Sequence, residues 1–114
     1  MKGAAEEDLA HQHLVRQGLK TITRNWRCPG GELDLVMQDR DTLVIAEVRK
    51  RSNTQFGDAA ASVDPRKRGR LIHAAQMFLA QHPQHADSPV RFDVLALDAA
   101  NQITWLKAAF DTDG

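Results

Sequence analysis

Four charged residues in two apolar stretches are of types that suit hydrolytic chemistry. Glu32 and Asp34 belong to the first stretch, Glu47 and Arg49 to the second, and an apolar residue separates the members of each pair. Burying an unpaired charge is costly, so this alternation predicts two β-strands with a polar face and an apolar face. Paired carboxylates supply the oxygen ligands that Mg²⁺ prefers, and a nearby cation can stabilise charge on a phosphate. The pattern therefore points to metal-dependent phosphodiester hydrolysis.

The two stretches, within residues 31–51, are predicted to form a β-hairpin. A two-residue turn at positions 40–41 would place Glu47 opposite Asp34 and Arg49 opposite Glu32. Two carboxylates directly opposed are destabilising unless a cation lies between them. A three-residue loop would instead move the two sets of charges to different faces. The turn lacks an Asn-Gly or Asp-Gly signal, so both registers stay open.

The other elements follow from apolar periodicity, caps and turn residues. Helices are predicted at residues 4–17 and from the Asp64-Pro65 cap to about residue 82, and a loop at 52–63. Further strands are predicted at residues 19–27, 90–97 and 102–106, and a frayed tail at 111–114. The resulting order, α-β-β-β-α-β-β, predicts an α/β fold with a mixed central β-sheet flanked by helices.

The first predicted helix carries a carboxylate with two open interpretations. Glu6, Glu7 and Asp8 all lie in the first turn, where negative charge suits the helix dipole. Glu7 also shares a face with Ala10 and Leu14, so its carboxylate could point from the core-facing stripe into a site. The spacing of the residues alone favours the first interpretation, in which Glu7 interacts with the helix dipole.

A basic cluster surrounds the start of the second predicted helix. Residues 49–70 hold seven basic and two acidic side chains. Cations in the first turns of a helix have the wrong sign for its dipole, so either nearby acids or a bound anion must offset them. Helix N-termini attract phosphate, which favours the anion, although a solvated charged face fits the count equally well. The candidate phosphate-binding residues are Arg51, Arg66, Lys67 and Arg70.

Composition limits the class of protein. The chain has 114 residues, 42% hydrophobic and 26% charged, which suits one ordinary globular domain over residues 1–114. Its net charge of zero argues against a generally basic nucleic-acid binder. Cys28 is the only cysteine, no apolar run approaches the ~20 residues of a membrane span, and acids occupy the place of a signal-peptide core. These features favour the cytoplasm.

Several short motifs along the chain resemble those of a known family. Asp34 followed by Glu47-Val48-Arg49 resembles the PD-(D/E)XK nuclease motif. Asn-Trp-Arg, Gly-Gly-Glu-Leu-Asp-Leu, Glu-Val-Arg, Phe-Gly, a basic helix and Arg-Phe-Asp-Val then occur in the order typical of the YraN-type family of small, largely uncharacterised bacterial proteins. The resemblance covers about residues 3–97. It implies a restriction-endonuclease-like core, similar to that of archaeal Holliday-junction resolvases.

The resemblance also implies roles for individual residues. Asp34 and Glu47 would bind Mg²⁺ or Mn²⁺, Arg49 would contact the scissile phosphate, and Glu7 would be a supporting carboxylate. Glu32 fits the family pattern as a supporting residue and as a candidate partner of Arg49. The implied partner is branched or structured DNA, and a homodimer is implied because a junction needs two cuts.

One departure from the motif keeps alternative functions open. The motif has lysine where this chain has Arg49, and arginine, which stays protonated in proteins, will not act as a base. Lys67 could reach in from the second helix as a relocated lysine. The alternatives are a catalytically degenerate nuclease fold that binds DNA, and a structural protein whose polar face is a salt-bridge network including Glu32 and Arg49.

Overall fold

The computed structural model of the chain describes residues 3–50 and 62–112. Its helices and strands are α1 (Ala4–Arg16), β1 (Lys20–Cys28), β2 (Gly31–Asp39), β3 (Thr42–Lys50), α2 (Pro65–Gln81), β4 (Val90–Leu97) and β5 (Ile103–Phe110), with a short 3₁₀ helix at Pro83–His85. The predicted order α-β-β-β-α-β-β is confirmed. Arg51 and most of the predicted loop at 52–63 lie outside the described residues.

The strands form one mixed sheet with a helix on each face. Within the described residues the strand order is β1-β2-β3-β4-β5; β3 and β4 are parallel and the other neighbours antiparallel. Leu14 of α1 belongs to one apolar cluster with Leu35 and Val44, and Phe78 of α2 belongs to another with Ile45. The parallel pair requires a crossover, and α2 supplies it.

The β2–β3 hairpin has the predicted two-residue turn. Asp39 pairs with Thr42, and the ladder continues in the same register to Leu35 and Ala46. Arg40 has φ 58°, the left-handed conformation that tight hairpin turns use. Of the two registers left open by the sequence, the two-residue turn is therefore the one observed.

Neither helix can span a membrane: in the parts of the chain that the structure describes, none is both long enough and apolar enough.

Asp93 holds β4 and β5 together through a buried set of hydrogen bonds. Its carboxylate, fully buried, accepts bonds from both Nε and Nη2 of Arg91, at 2.9 and 3.0 Å, and from Nε1 of Trp105 at 3.0 Å. It also accepts the backbone N–H of Ala108, where a bulge shifts the β4–β5 register. The bond to Asp93 raises the pKa of Arg91 above its usual value, and Asp39 adds to this. These contacts carry β5 on to Phe110, beyond its predicted end at residue 106.

We expect Asp93→Ala to lower the free energy of unfolding by about 3–5 kcal/mol, because the Arg91 guanidinium would lose its buried partner. Urea unfolding measures the change. Asp87→Ala, at an exposed aspartate before β4, is the matched control and should stay within about 0.5 kcal/mol of the parent. Equal effects of the two substitutions would contradict this account of the β4–β5 connection.

Candidate active site

The sheet opens between β2 and β3 where the hairpin ladder ends. Beyond Leu35 and Ala46, β2 stays paired with β1 and β3 stays paired with β4. Asp34 lies at this split, and its Oδ2 accepts the backbone N–H of Val48 at 3.0 Å. Asp34 is 2% exposed and Glu47 is 1% exposed. The structure therefore buries both predicted metal-binding carboxylates beside the opening.

A local change of face in β1 and β2 directs Asp34 into the split. Leu33 packs in the α2 cluster and Leu35 in the α1 cluster, although residues two apart in a strand normally share a face. Across the ladder, Asn25 of β1 has φ 54°, a conformation that asparagine tolerates better than most residues. Asp34 lies at this change of face, between Leu33 and Leu35, and its carboxylate accepts the N–H of Val48 of β3.

Glu47 lies on the α2 side of β3 and contacts two cations. Lys67 Nζ of α2 is 3.5 Å from Glu47 Oε2, and Arg49 Nη1 is 3.9 Å from the same oxygen. Both distances exceed the roughly 2.7–2.9 Å of a charge-assisted hydrogen bond. Arg49 also donates from Nη2 to the carbonyl of Ser62 at 2.9 Å. Lys67 therefore reaches the Glu47 carboxylate from α2, and its role as a relocated lysine stays a prediction.

The first turn of α2 fixes the position of Lys67. Asp64 caps the helix by accepting the backbone N–H of Lys67 at 2.8 Å, as the sequence predicts. The Lys67 side chain reaches Glu47, while Arg68 Nε donates to the carbonyl of Val63 at 2.8 Å. A nearby acid therefore offsets the charge of Lys67, one of the two offsets that the sequence left open.

Glu7 is buried against β1. It is 7% exposed, and its Oε1 accepts hydrogen bonds from Asn25 Nδ2 at 2.8 Å and Arg24 Nη2 at 3.1 Å. Arg24 also donates to Asp8 at 2.6 Å; the pKa of Arg24 is raised above its usual value mainly by this bond, with Glu7 adding to it. The helix dipole alone does not account for these contacts, so the second interpretation of Glu7 is the better one.

Asn25 and Arg24 are site residues that sequence reasoning missed. The available signal was the Asn-Trp-Arg segment, in which an asparagine interrupts a strand pattern. Arg24 also acts on His11, whose pKa is lowered from 6.5 by burial first and by the Arg24 charge second. Arginine and asparagine of β1 therefore position the carboxylate that α1 brings to the site.

The predicted ion pair between Glu32 and Arg49 is not formed, so this prediction is wrong. Glu32 instead lies 3.4 Å from Nε of Arg27, its ladder partner on β1. The physical reason is the split, because beyond Leu35 the residues of β2 follow β1 and move away from β3. The structural-protein hypothesis thereby loses the one ion pair that it named.

A pocket of about 550 Å³, called the carboxylate pocket below, joins the two faces at the split. Its lining includes four of the predicted residues: Glu7, Glu32, Asp34 and Lys67. Glu47 is buried beside it, in contact with Lys67. Arg66 and Arg70 are exposed on α2, and Arg70 lines a neighbouring pocket. Arg51 lies outside the described residues, so its predicted role stays a prediction.

The donor set suits a hard divalent cation. Asp34 and Glu47 offer carboxylate oxygens, and no group of three or more His, Cys, Asp or Glu side chains able to hold a metal occurs in residues 3–50 and 62–112. Mg²⁺ commonly uses one or two carboxylates and keeps several waters, so two carboxylates fit it.

A family model and individual relatives match this chain, and they all belong to the same family. A family model described as "Uncharacterised protein family UPF0102" matches residues 6–97. A UPF0102 protein of Pseudomonas entomophila (strain L48) is 53% identical over 113 residues, covering 96% of this chain and 92% of the relative. A UPF0102 protein of Pseudomonas fluorescens (strain Pf0-1) is 52% identical over 111 residues, with the same coverage of each chain.

We expect Lys67→Met to lower the free energy of unfolding by roughly 1–3 kcal/mol, because a buried carboxylate loses a charged neighbour. Arg66→Met, at the preceding exposed residue, should change it little. Adding Glu47→Gln to the Lys67→Met protein should recover much of the loss, and chemical denaturation of all four proteins in the cycle gives the coupling. Equal effects at positions 66 and 67 would show that helix-end charge, not contact with Glu47, is responsible.

Proposed function

This chain belongs to the UPF0102 family, and we propose that it is a metal-dependent endonuclease that hydrolyses phosphodiester bonds in branched or structured DNA. The proposal rests on one observation: the buried carboxylate of Asp34 accepts the N–H of Val48 at the opening between two strands, and Val48 follows Glu47, whose carboxylate has a lysine ammonium 3.5 Å away. Carboxylates and a cation at an open pocket are what hydrolysis of a phosphate ester needs.

Asp34 and Glu47 are the residues that would hold Mg²⁺ or Mn²⁺. The bound cation would polarise a phosphoryl oxygen and lower the pKa of a water. Asp34 accepts the N–H of Val48, which fixes the orientation of its carboxylate before any ligand arrives. Glu7, held by Asn25, lines the same pocket and can accept a hydrogen bond from a water or a sugar hydroxyl.

Lys67 supplies the positive charge that the nuclease motif places on its lysine. It lines the carboxylate pocket and is close to Glu47, so its ammonium can approach a phosphate bound beside Asp34. Unlike arginine, a lysine can also lose its proton when desolvated. Arg49 is held by the carbonyl of Ser62 and contributes a fixed charge on the same side of β3.

A second candidate function is DNA binding without hydrolysis. The observation that favours it is the hydrogen bond from Arg49 to Ser62, which uses the motif-position side chain to hold the segment before α2. In this case the basic residues of α2 would bind phosphates, and the carboxylates would have no turnover to support. A second copy of this chain is a further proposed partner, since a junction needs two cuts.

We expect cleavage of a four-way junction or a flap substrate in the presence of Mn²⁺ or Mg²⁺. Asp34→Asn should slow it by at least about 100-fold, since even the partners of metal ligands are worth about 10- to 100-fold. Asp87→Asn, before β4 and exposed, is the control and should cleave like the parent. Gel analysis of end-labelled substrates measures the rate. No cleavage of either substrate with either metal, or an Asp34→Asn protein as fast as the parent, would overturn the proposal.

Metal binding can be measured apart from cleavage. Mn²⁺ at 100 times its dissociation constant should stabilise the parent by about 2.7 kcal/mol, because it binds only the folded chain. The melting temperature should rise in the parent and in Asp87→Asn, and stay constant in Asp34→Asn. An equal rise in all three proteins would place the ion away from Asp34.

The Arg49→Lys substitution separates the two candidate functions. If Lys67 supplies the active-site charge, Arg49→Lys should leave the cleavage rate within a few-fold of the parent, whereas Lys67→Met should abolish it. If the parent binds DNA but does not cleave it and Arg49→Lys creates cleavage, the protein is a degenerate nuclease. Single-turnover assays on the same junction substrate distinguish these outcomes.

A further inference from the structure

We propose that β1 and α2 form a groove that binds the phosphate backbone of a nucleic acid next to the carboxylate pocket. This groove is a second pocket, of about 470 Å³, whose charged lining residues are Arg27, Glu32, Lys67 and Arg70. Arg70 is one of the phosphate-binding residues that the sequence predicts, whereas Arg27 belongs to the Asn-Trp-Arg segment, to which the sequence alone assigns no role. The inference rests on the proposed function, because it assigns the path of the DNA backbone beside Asp34.

The two pockets differ in the charge of their lining residues, which suits a phosphate-binding groove next to the carboxylate pocket. The carboxylate pocket is lined by three cationic and three anionic side chains, whereas the groove is lined by three cations and one carboxylate. The pockets share Arg27, Glu32 and Lys67, so the positive groove begins where the carboxylate pocket ends. A phosphate in the groove would therefore be attracted without approaching Asp34 or Glu7.

The walls of the groove are held at a fixed spacing by the β1–β2 turn. A Cβ on Gly31 would lie 2.9 Å from the carbonyl oxygen of Arg70 and 3.0 Å from Cβ of Ala74, so only glycine allows this approach. His73 Nε2 donates to the carbonyl of Pro29 at 3.0 Å and ties the turn to α2. Because the turn packs on α2, the two exposed guanidinium groups, on β1 and on α2, border one groove.

The lining favours backbone phosphates over bases. Among the described residues, neither pocket has an aromatic lining residue on which an unpaired base could stack. Guanidinium groups match phosphate oxygens in two-point hydrogen bonds. Arg27 is 77% exposed on its side chain, and Glu32 at 3.4 Å holds it over the groove without burying it. We expect contacts that are independent of sequence and sensitive to salt.

Fluorescence anisotropy with labelled duplex and four-way-junction DNA in EDTA tests the groove without cleavage. The Arg27→Gln/Arg70→Gln protein should bind both DNAs more weakly, and the slope of log affinity against log salt should fall by about 0.9 for each phosphate that is no longer neutralised. The control is Arg16→Gln/Lys20→Gln, which removes two exposed charges at the opposite end of α1 and β1 and should bind like the parent.

The outcomes separate the groove from the proposed hydrolysis. A loss of affinity in the Arg27/Arg70 double variant that the Arg16/Lys20 control does not show supports the groove even if no protein cleaves DNA. Parent-like affinity and salt slope in that variant would overturn the groove even if the parent cleaves DNA. An equal loss in the Arg16/Lys20 control, or no binding by the parent, would also overturn it.

Discussion

The hydrogen bond from the Val48 N–H to Asp34 is the interaction on which the site depends. Where β2 and β3 separate, backbone groups lose their ladder partners, and a buried N–H without an acceptor is costly. The Asp34 carboxylate takes the place of a backbone carbonyl at this point. A carboxylate has about four lone-pair positions, more than one N–H requires, so the same group can close the split and coordinate a cation. The structural role of Asp34 and its proposed role in binding a cation are therefore compatible in one residue.

The opening between the strands lets both helices contribute to one pocket. In a continuous sheet α1 and α2 would be separated, since each packs on its own face. At the split, Glu7 from α1 and Lys67 from α2 line the same cavity. Each is fixed by ordinary local structure: Asn25 holds the carboxylate of Glu7, and the Asp64 cap fixes the backbone of Lys67. The charges of the site are thus positioned by elements far apart in sequence.

Sequence patterns predicted what depends on neighbours along the chain. The alternation of charge predicted the two strands, and the two-residue turn seen from Asp39–Thr42 to Leu35–Ala46 is one of the two registers that the sequence left open. The Asp64-Pro65 cap predicted the start of α2. The error at Glu32 has a different origin: a strand can pair on two sides, and no local pattern tells where it leaves one neighbour for the other. The extension of β5 likewise depends on Asp93, whose partners are distant in sequence. Periodicity carries no information on such contacts.

The substitution of arginine in the motif can be understood from the same geometry. Residues 47 and 49 share the α2 face of β3, so whatever occupies position 49 lies close to the segment that leads into α2. A guanidinium, with five donors in a planar group, can hold the carbonyl of Ser62 and still lie 3.9 Å from Glu47, whereas an ammonium on a flexible stem does this less well. With Lys67 already beside Glu47, a lysine at position 49 would duplicate a charge that the helix provides. The arginine is therefore compatible with the proposed site, in which Lys67 of α2 would supply the lysine, and its presence alone does not argue against hydrolysis.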